Sequence, residues 1–232
     1  MNAHTEKLTL QGEAGAIEAL RDPPEAQYPQ PRGLAIITHP HPLFGGTLDN
    51  KVVQTLARAF NAAGYTALRF NFRGVGSSAG VYGEGLAEAG DLRAVLEQSC
   101  APGTPVCLAG FSFGTFVASQ VLDFAAQRNL LEKIIFIGTA ASRFSIASID
   151  PALHPRSLVV HGEQDDTVPL ASVMDWARPQ LLPVTVIPAG GHFFHGQLPL
   201  LKSLVLRHVL AAQVGMTSPA QGEVHRDAPG NM

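Results

Sequence analysis

The chain has 232 residues, 46% of them hydrophobic and 15% charged, with a formal net charge of -3. That length holds one large domain or two small ones, with enough apolar chain for a full core. The faint acidic balance offers nucleic acid or an anionic lipid surface no electrostatic footing, no apolar run reaches the roughly 18 residues of a membrane span, and the opening MNAHTEKLTL lacks the apolar segment of an export signal.

Two runs of strand character, 7–11 and 16–20, flank turn formers between Gly12 and Gly15 and predict an antiparallel hairpin. A proline-rich connection, 21–32, follows. Short apolar runs then recur at 34–38, 66–70, 106–109, 134–137, 158–160 and 184–187. Unbroken apolar runs of this kind read as parallel strands buried on both faces. Helical spacing lies between them. Val52, Leu56, Phe60 and Ala63 share one face, opened by Asp49 and Asn50 as caps and closed by Gly64. Further helices are expected over 86–98, 113–128, 170–177 and 198–212. The alternation predicts an α/β fold, a mostly parallel, doubly wound sheet of about eight strands led by the antiparallel hairpin. It is expected to form a single domain over 1–214, followed by a disordered tail over 215–232 that lacks periodicity and is rich in turn formers. Cys100 and Cys107 stand seven apart in no metal or redox spacing, which suits a reducing, cytoplasmic setting.

In such sheets ligands bind beyond the carboxyl ends of the strands. The run 106–109 leads straight into Gly110-Phe111-Ser112-Phe113-Gly114, a G-x-S-x-G placed between a strand and a helix. The context matters, because a sharp turn there lifts the serine hydroxyl above the sheet. It also aims the next backbone N–H, that of Phe113, at a developing oxyanion. A serine needs a base, and the base needs an orienting acid. The strand at 158–160 is followed by His161-Gly162-Glu163-Gln164-Asp165-Asp166, and the strand at 184–187 by a glycine turn carrying His192 and His195. Acid and histidine thus follow the serine in the order this architecture uses.

Two other chemistries compete. Gly74-Val75-Gly76-Ser77-Ser78-Ala79 formally satisfies a dinucleotide-binding G-x-G-x-x-A, but no helix opens at once and the strand at 106–109 carries no acidic residue at its end. His39 and His41, with His192 and His195, could build a metal-dependent hydrolase, although only Asp49 is a nearby carboxylate. A non-catalytic binding domain on the same fold is a third possibility.

Over roughly residues 33–210 the chain resembles the α/β-hydrolase superfamily. More narrowly, it is similar to small lidless hydrolases of the dienelactone-hydrolase-like group that carry HPHPLxGG, NFRGVGxS, GFSFG and GHFFH blocks. The resemblance implies an α/β-hydrolase fold without a cap domain, in keeping with the brief connection 138–157. It implies Ser112 as nucleophile, Asp165 as acid and His192 as base, with Asp166, Asp150 and His195 as reserves. Dienelactone hydrolases proper carry cysteine at the nucleophile position, so their substrate does not transfer. The implied activity is cleavage of a small carboxylic ester or thioester through an acyl-enzyme, with no cofactor, no metal and no nucleic-acid or membrane partner. For the second oxyanion donor Pro40 and Pro42 have no N–H, which leaves His41, Leu43 and Phe44; the resemblance favours Leu43, with His41 next in line. Phe44, Phe111, Phe113, Phe193 and Phe194 flank the motif loops, where they either line an acyl site or pack the core.

Overall fold

A computed structural model describes residues 4–211. Eight strands form one sheet in the order β1-β2-β4-β3-β5-β6-β7-β8. The hairpin β1 (Glu6–Gly12) and β2 (Gly15–Asp22) pairs antiparallel with itself, and β2 runs antiparallel to β4 (Thr66–Phe70). From β4 onward the sheet is parallel, through β3 (Leu34–Thr38), β5 (Pro105–Phe111), β6 (Leu130–Ile137), β7 (Ser157–Gly162) and β8 (Val184–Ile187). The expected terminal tail, 215–232, falls outside the described residues.

Side-chain alternation along the central strands assigns each residue to one of two layers. Ile36, Leu68, Leu108 and Phe136 face α2 (Leu86–Ser99), α3 (Phe113–Ser119), α4 (Leu122–Arg128) and α5 (Leu170–Ala177). Ile37, Ala67, Ala109 and Ile135 face α1 (Lys51–Ala62) and α6 (Leu198–Leu210). Both faces are covered, which is why the strand sequences are solidly apolar rather than alternating. The eight-stranded, mostly parallel sheet with its antiparallel hairpin is the α/β-hydrolase arrangement.

Two local expectations are corrected. The cap of α1 is Asn50 alone, whose side chain accepts from the Val52 N–H at 2.9 Å, while the Asp49 carboxylate lies 3.3 Å from Arg69 Nη1. The helix expected over 113–128 breaks in two. At the junction the Ser119 hydroxyl donates to the Phe116 carbonyl at 2.7 Å and accepts from the Ala147 N–H at 3.1 Å. The Gln120 N–H is shared between the Phe116 and Val117 carbonyls and that of Val121 turns to Ala118, three residues back, so the turn tightens and the chain leaves the helix axis. Ala147 belongs to the connection between β6 and β7, whose only regular piece is a 3₁₀ turn, Pro151–Arg156. No cap domain stands there.

Candidate active site

Ser112 follows β5 directly and opens α3 with φ 55° and ψ -120°, a conformation costly for any residue with a Cβ. The elbow is packed so tightly that its glycines are obligatory. A Cβ on Gly114 would lie 2.5 Å from the Thr38 carbonyl oxygen, and one on Gly110 would lie 2.7 Å from the Gly114 carbonyl. The Thr38 hydroxyl bonds the carbonyls of Ala109 and Gly114, lashing the end of β3 to the turn. Thr115 Oγ1 donates to the Ser112 carbonyl at 2.6 Å, so strain at one residue is held by its neighbours.

The carboxyl ends of β7 and β8 bring the partners. Asp165 Oδ1 accepts the N–H groups of Thr167 at 3.0 Å and Val168 at 2.7 Å. Its Oδ2 lies 2.7 Å from His192 Nδ1, and His192 Nε2 lies 3.0 Å from Ser112 Oγ. All three side chains are buried or nearly so. Burial by itself pushes the Asp165 carboxyl up, but the hydrogen bonds from His192 and the Val168 N–H, with the neighbouring imidazoles, hold it below the ordinary carboxylate value. An ionised carboxylate only accepts, so the His192 proton sits on Nδ1. Nε2 is then free to accept from the Ser112 hydroxyl.

The reserves are elsewhere. Asp166 and His195 are exposed, and the Asp150 side chain accepts from the Ala152 N–H at the start of the 3₁₀ turn. The spacing of residue types did not single out His161, which is wholly buried behind Asp165. Its Nε2–H donates to the Val168 carbonyl at 2.8 Å and stands 3.4 Å from Asp165 Oδ2. Burial keeps its pKa down, and its Nδ1 finds no partner among the described residues. Its only sequence signal was its place at the end of β7.

The histidine pair after β3 is engaged internally. His39 is fully buried, with Nδ1–H donating to the Pro40 carbonyl at 2.6 Å and Nε2 accepting from the Phe72 N–H at 3.0 Å. Neither nitrogen has a lone pair left for a metal. Among the described residues no group of three or more His, Cys, Asp or Glu could hold one. Leu43 was expected to supply the second oxyanion donor. Its N–H donates to the His41 ring at 3.2 Å, a local turn that engages the proposed donor. The N–H groups of His41 and Phe113 have no hydrogen-bond partner among the described residues.

The Gly74–Ala79 turn is equally committed. The Ser77 N–H and the Asn71 side chain donate to Glu18 Oε2 at 2.8 and 2.7 Å, and a Cβ on Gly76 would strike that carboxylate. The place a pyrophosphate would need holds the protein's own anion. Of the phenylalanines, Phe111, Phe113 and Phe194 are core, whereas Phe44 and Phe193 stand exposed.

The sequence model of the serine aminopeptidase S33 family matches residues 30–155, more than half of the chain. The chain belongs to this family of α/β-hydrolases. Its fold is shared at 36% identity and a TM-score of 0.78 with XC6422 of Xanthomonas campestris, an α/β serine hydrolase without a lid, over 90% of this chain and 95% of that one. An α/β serine hydrolase homologue from Coxiella burnetii is also 36% identical, with a TM-score of 0.72 over 87% of this chain and 96% of its own. Protein RP471 of Rickettsia prowazekii is 32% identical over 145 residues, which are 61% of this chain and 60% of that protein's length. This α/β-hydrolase is therefore an enzyme of the hydrolase class, and no helix among its described residues is long and apolar enough to cross a membrane.

Proposed function

We propose that the protein is a serine esterase that cleaves a carboxylic ester or thioester through an acyl-enzyme, without cofactor or metal. Within its family it is assigned to the lidless, dienelactone-hydrolase-like group with the HPHPLxGG block. The observation that carries the reading is the continuous chain from Ser112 Oγ to His192 Nε2 at 3.0 Å and from His192 Nδ1 to Asp165 Oδ2 at 2.7 Å.

His192 takes the Ser112 proton as Oγ attacks the acyl carbon, and Asp165 stabilises the imidazolium that forms. The carbonyl oxygen becomes negative between the N–H groups of Phe113 and His41, both without other partners among the described residues. His192 then returns the proton to the leaving alkoxide or thiolate. In the second half, water gives a proton to His192 as its oxygen adds to the acyl carbon, and His192 returns that proton to Ser112 Oγ as the bond to the acyl carbon breaks and the carboxylic acid leaves. His41 takes the donor role in place of Leu43, and its φ of -54° is set between two prolines that stiffen the turn. Two unpaired cysteines, Cys100 and Cys107, support a reducing, cytoplasmic setting, and a small-molecule ester is the proposed partner.

The test is covalent. A fluorophosphonate should label Ser112, identified by peptide mass, and Ser112→Ala should abolish both labelling and hydrolysis of an aryl acetate. Full esterase activity in Ser112→Ala would refute the assignment, and a folded protein inert toward both reagents would leave it a binding domain.

A further inference from the structure

Apolar side chains exposed to water are not spread evenly over this protein. Among the described residues, five of the nine large exposed ones (Leu43, Phe44, Val81, Leu86 and Phe193) belong to the segments that follow β3, β4 and β8. Those segments leave the carboxyl edge of the sheet, where Ser112 sits. Phe44 is 75% exposed, Val81 79% and Leu86 69%. An apolar surface of this kind, uncovered in a hydrolase without a lid, marks a place where something apolar is bound.

The patch is joined to the nucleophile on two sides. The Phe44 ring lies 4.8 Å from that of His41, which lies 4.8 Å from Phe113, the residue after Ser112. Tyr82, next to Val81, packs 4.9 Å from the same His41 ring, and Phe144 closes on Phe113 at 5.1 Å. On the other side Phe193 lies 5.1 Å from the His192 ring and 5.8 Å from Phe111, the residue before Ser112. Ser112 thus stands between two apolar arms, and it is itself only 8% exposed. Two of the charges near this edge are engaged within the protein, while Arg143, whose charge acts on the His41 ring, and Glu84 are exposed. Arg73 is paired with Asp91, and Glu88 accepts the N–H groups of Gly83 and Gly85.

We infer that the substrate is an ester with a medium- to long-chain apolar acyl group, whose chain lies across this open rim as a single dissolved molecule rather than entering an enclosed pocket. The inference rests on the esterase reading and names its substrate class. A charged or sugar-like acyl group would gain nothing from a rim of Phe44, Val81, Leu86 and Phe193. An acetyl group would not reach it. Each methylene laid on the rim leaves water, so selectivity rises with chain length until the rim is covered.

The experiment compares kcat/KM for p-nitrophenyl acetate and p-nitrophenyl decanoate, the latter kept below its micelle concentration. The variants are Phe44→Ser, Phe193→Ser and, as a control away from this edge, Leu181→Ser. The parent should prefer decanoate. Each rim variant should lower the decanoate-to-acetate ratio about tenfold, the equivalent of roughly 1.4 kcal/mol, while Leu181→Ser leaves the ratio where it was. Because the mutated side chains are exposed, unchanged melting temperatures will show that the fold is kept. A flat chain-length profile, or rim variants with the parent's ratio, would overturn the inference even if Ser112→Ala is inert toward acetate. Rates that climb only above the micelle concentration would overturn it too, by placing an aggregate on the rim. Acetate hydrolysis that survives Ser112→Ala would instead remove the esterase reading beneath it.

Discussion

His39 makes the acid sensitivity of this fold calculable. Its ring is entirely buried behind the β3 turn, and burial, only partly offset by the hydrogen bond to Pro40, depresses its pKa from 6.5 to about 4. Between those two values the unfolded chain binds a proton at this position and the folded chain does not. By linkage, stability falls as the pH drops through that window and is fully regained above the unfolded value. At 1.36 kcal/mol per unit, the loss assigned to His39 is about 3 kcal/mol. The perturbation is His39→Gln, which keeps an amide in place of the imidazole but cannot titrate. Urea denaturation of parent and variant should be followed at neutral pH and at pH about 4.5, with m-values compared to confirm that both remain two-state. At neutral pH the variant should be the weaker, since the fit to Phe72 and Pro40 is lost. On acidification the gap between them should shrink by about 3 kcal/mol. His161 and His208 are also held low, mainly by burial, so the parent's total acid loss is larger, but the difference between the two proteins isolates His39. A gap that stays constant with pH would mean that His39 takes up its proton in the folded state as readily as in the unfolded chain, against this prediction.

Ser112→Gly should abolish hydrolysis yet stabilise the fold by about 1 kcal/mol, seen as a higher melting temperature, because glycine relieves the φ of 55°. Gly114→Ala should cost roughly 2–3 kcal/mol or prevent folding, since its methyl group meets the Thr38 carbonyl; chemical denaturation will report it. Asn50→Ala should cost about 1 kcal/mol by uncapping α1, with kcat/KM unchanged. His161→Leu leaves the Val168 carbonyl without its donor, so stability should fall by about 1–3 kcal/mol, and kcat should fall with it as the loop holding Asp165 loosens. Asp165→Asn should lower kcat by roughly four orders of magnitude in steady-state assays while the protein stays folded, through loss of the His192 tautomer.

What was legible in the sequence was what local rules govern. The runs at 34–38 and 66–70 coincide with β3 and β4 because a strand buried on both faces has an unmistakable composition. Ser112 stood out because its G-x-S-x-G follows a strand, a motif dictated by the contacts a Cβ would make at Gly110 and Gly114, whereas Asp165 and His192 were singled out from Asp166 and His195 by the resemblance to α/β-hydrolases. Other features depend on partners distant in the chain. No period announces that Ala147 will bond Ser119 and break a helix, that Glu18 will fill the glycine turn after β4, or that His161 will back Asp165. That the Leu43 N–H is engaged by the His41 ring is likewise a matter of one hydrogen bond within a turn, which residue types alone do not decide. Sequence alone set the alternation of strand and helix and the chain order of serine, acid and histidine, because sterics and periodicity act over a few residues. Tertiary structure decided which N–H stays unpartnered, which carboxylate is held and which apolar side chains remain in water. Those outcomes depend on hydrogen bonds and packing between segments far apart in the chain, such as His192 and Ser112, 80 residues apart.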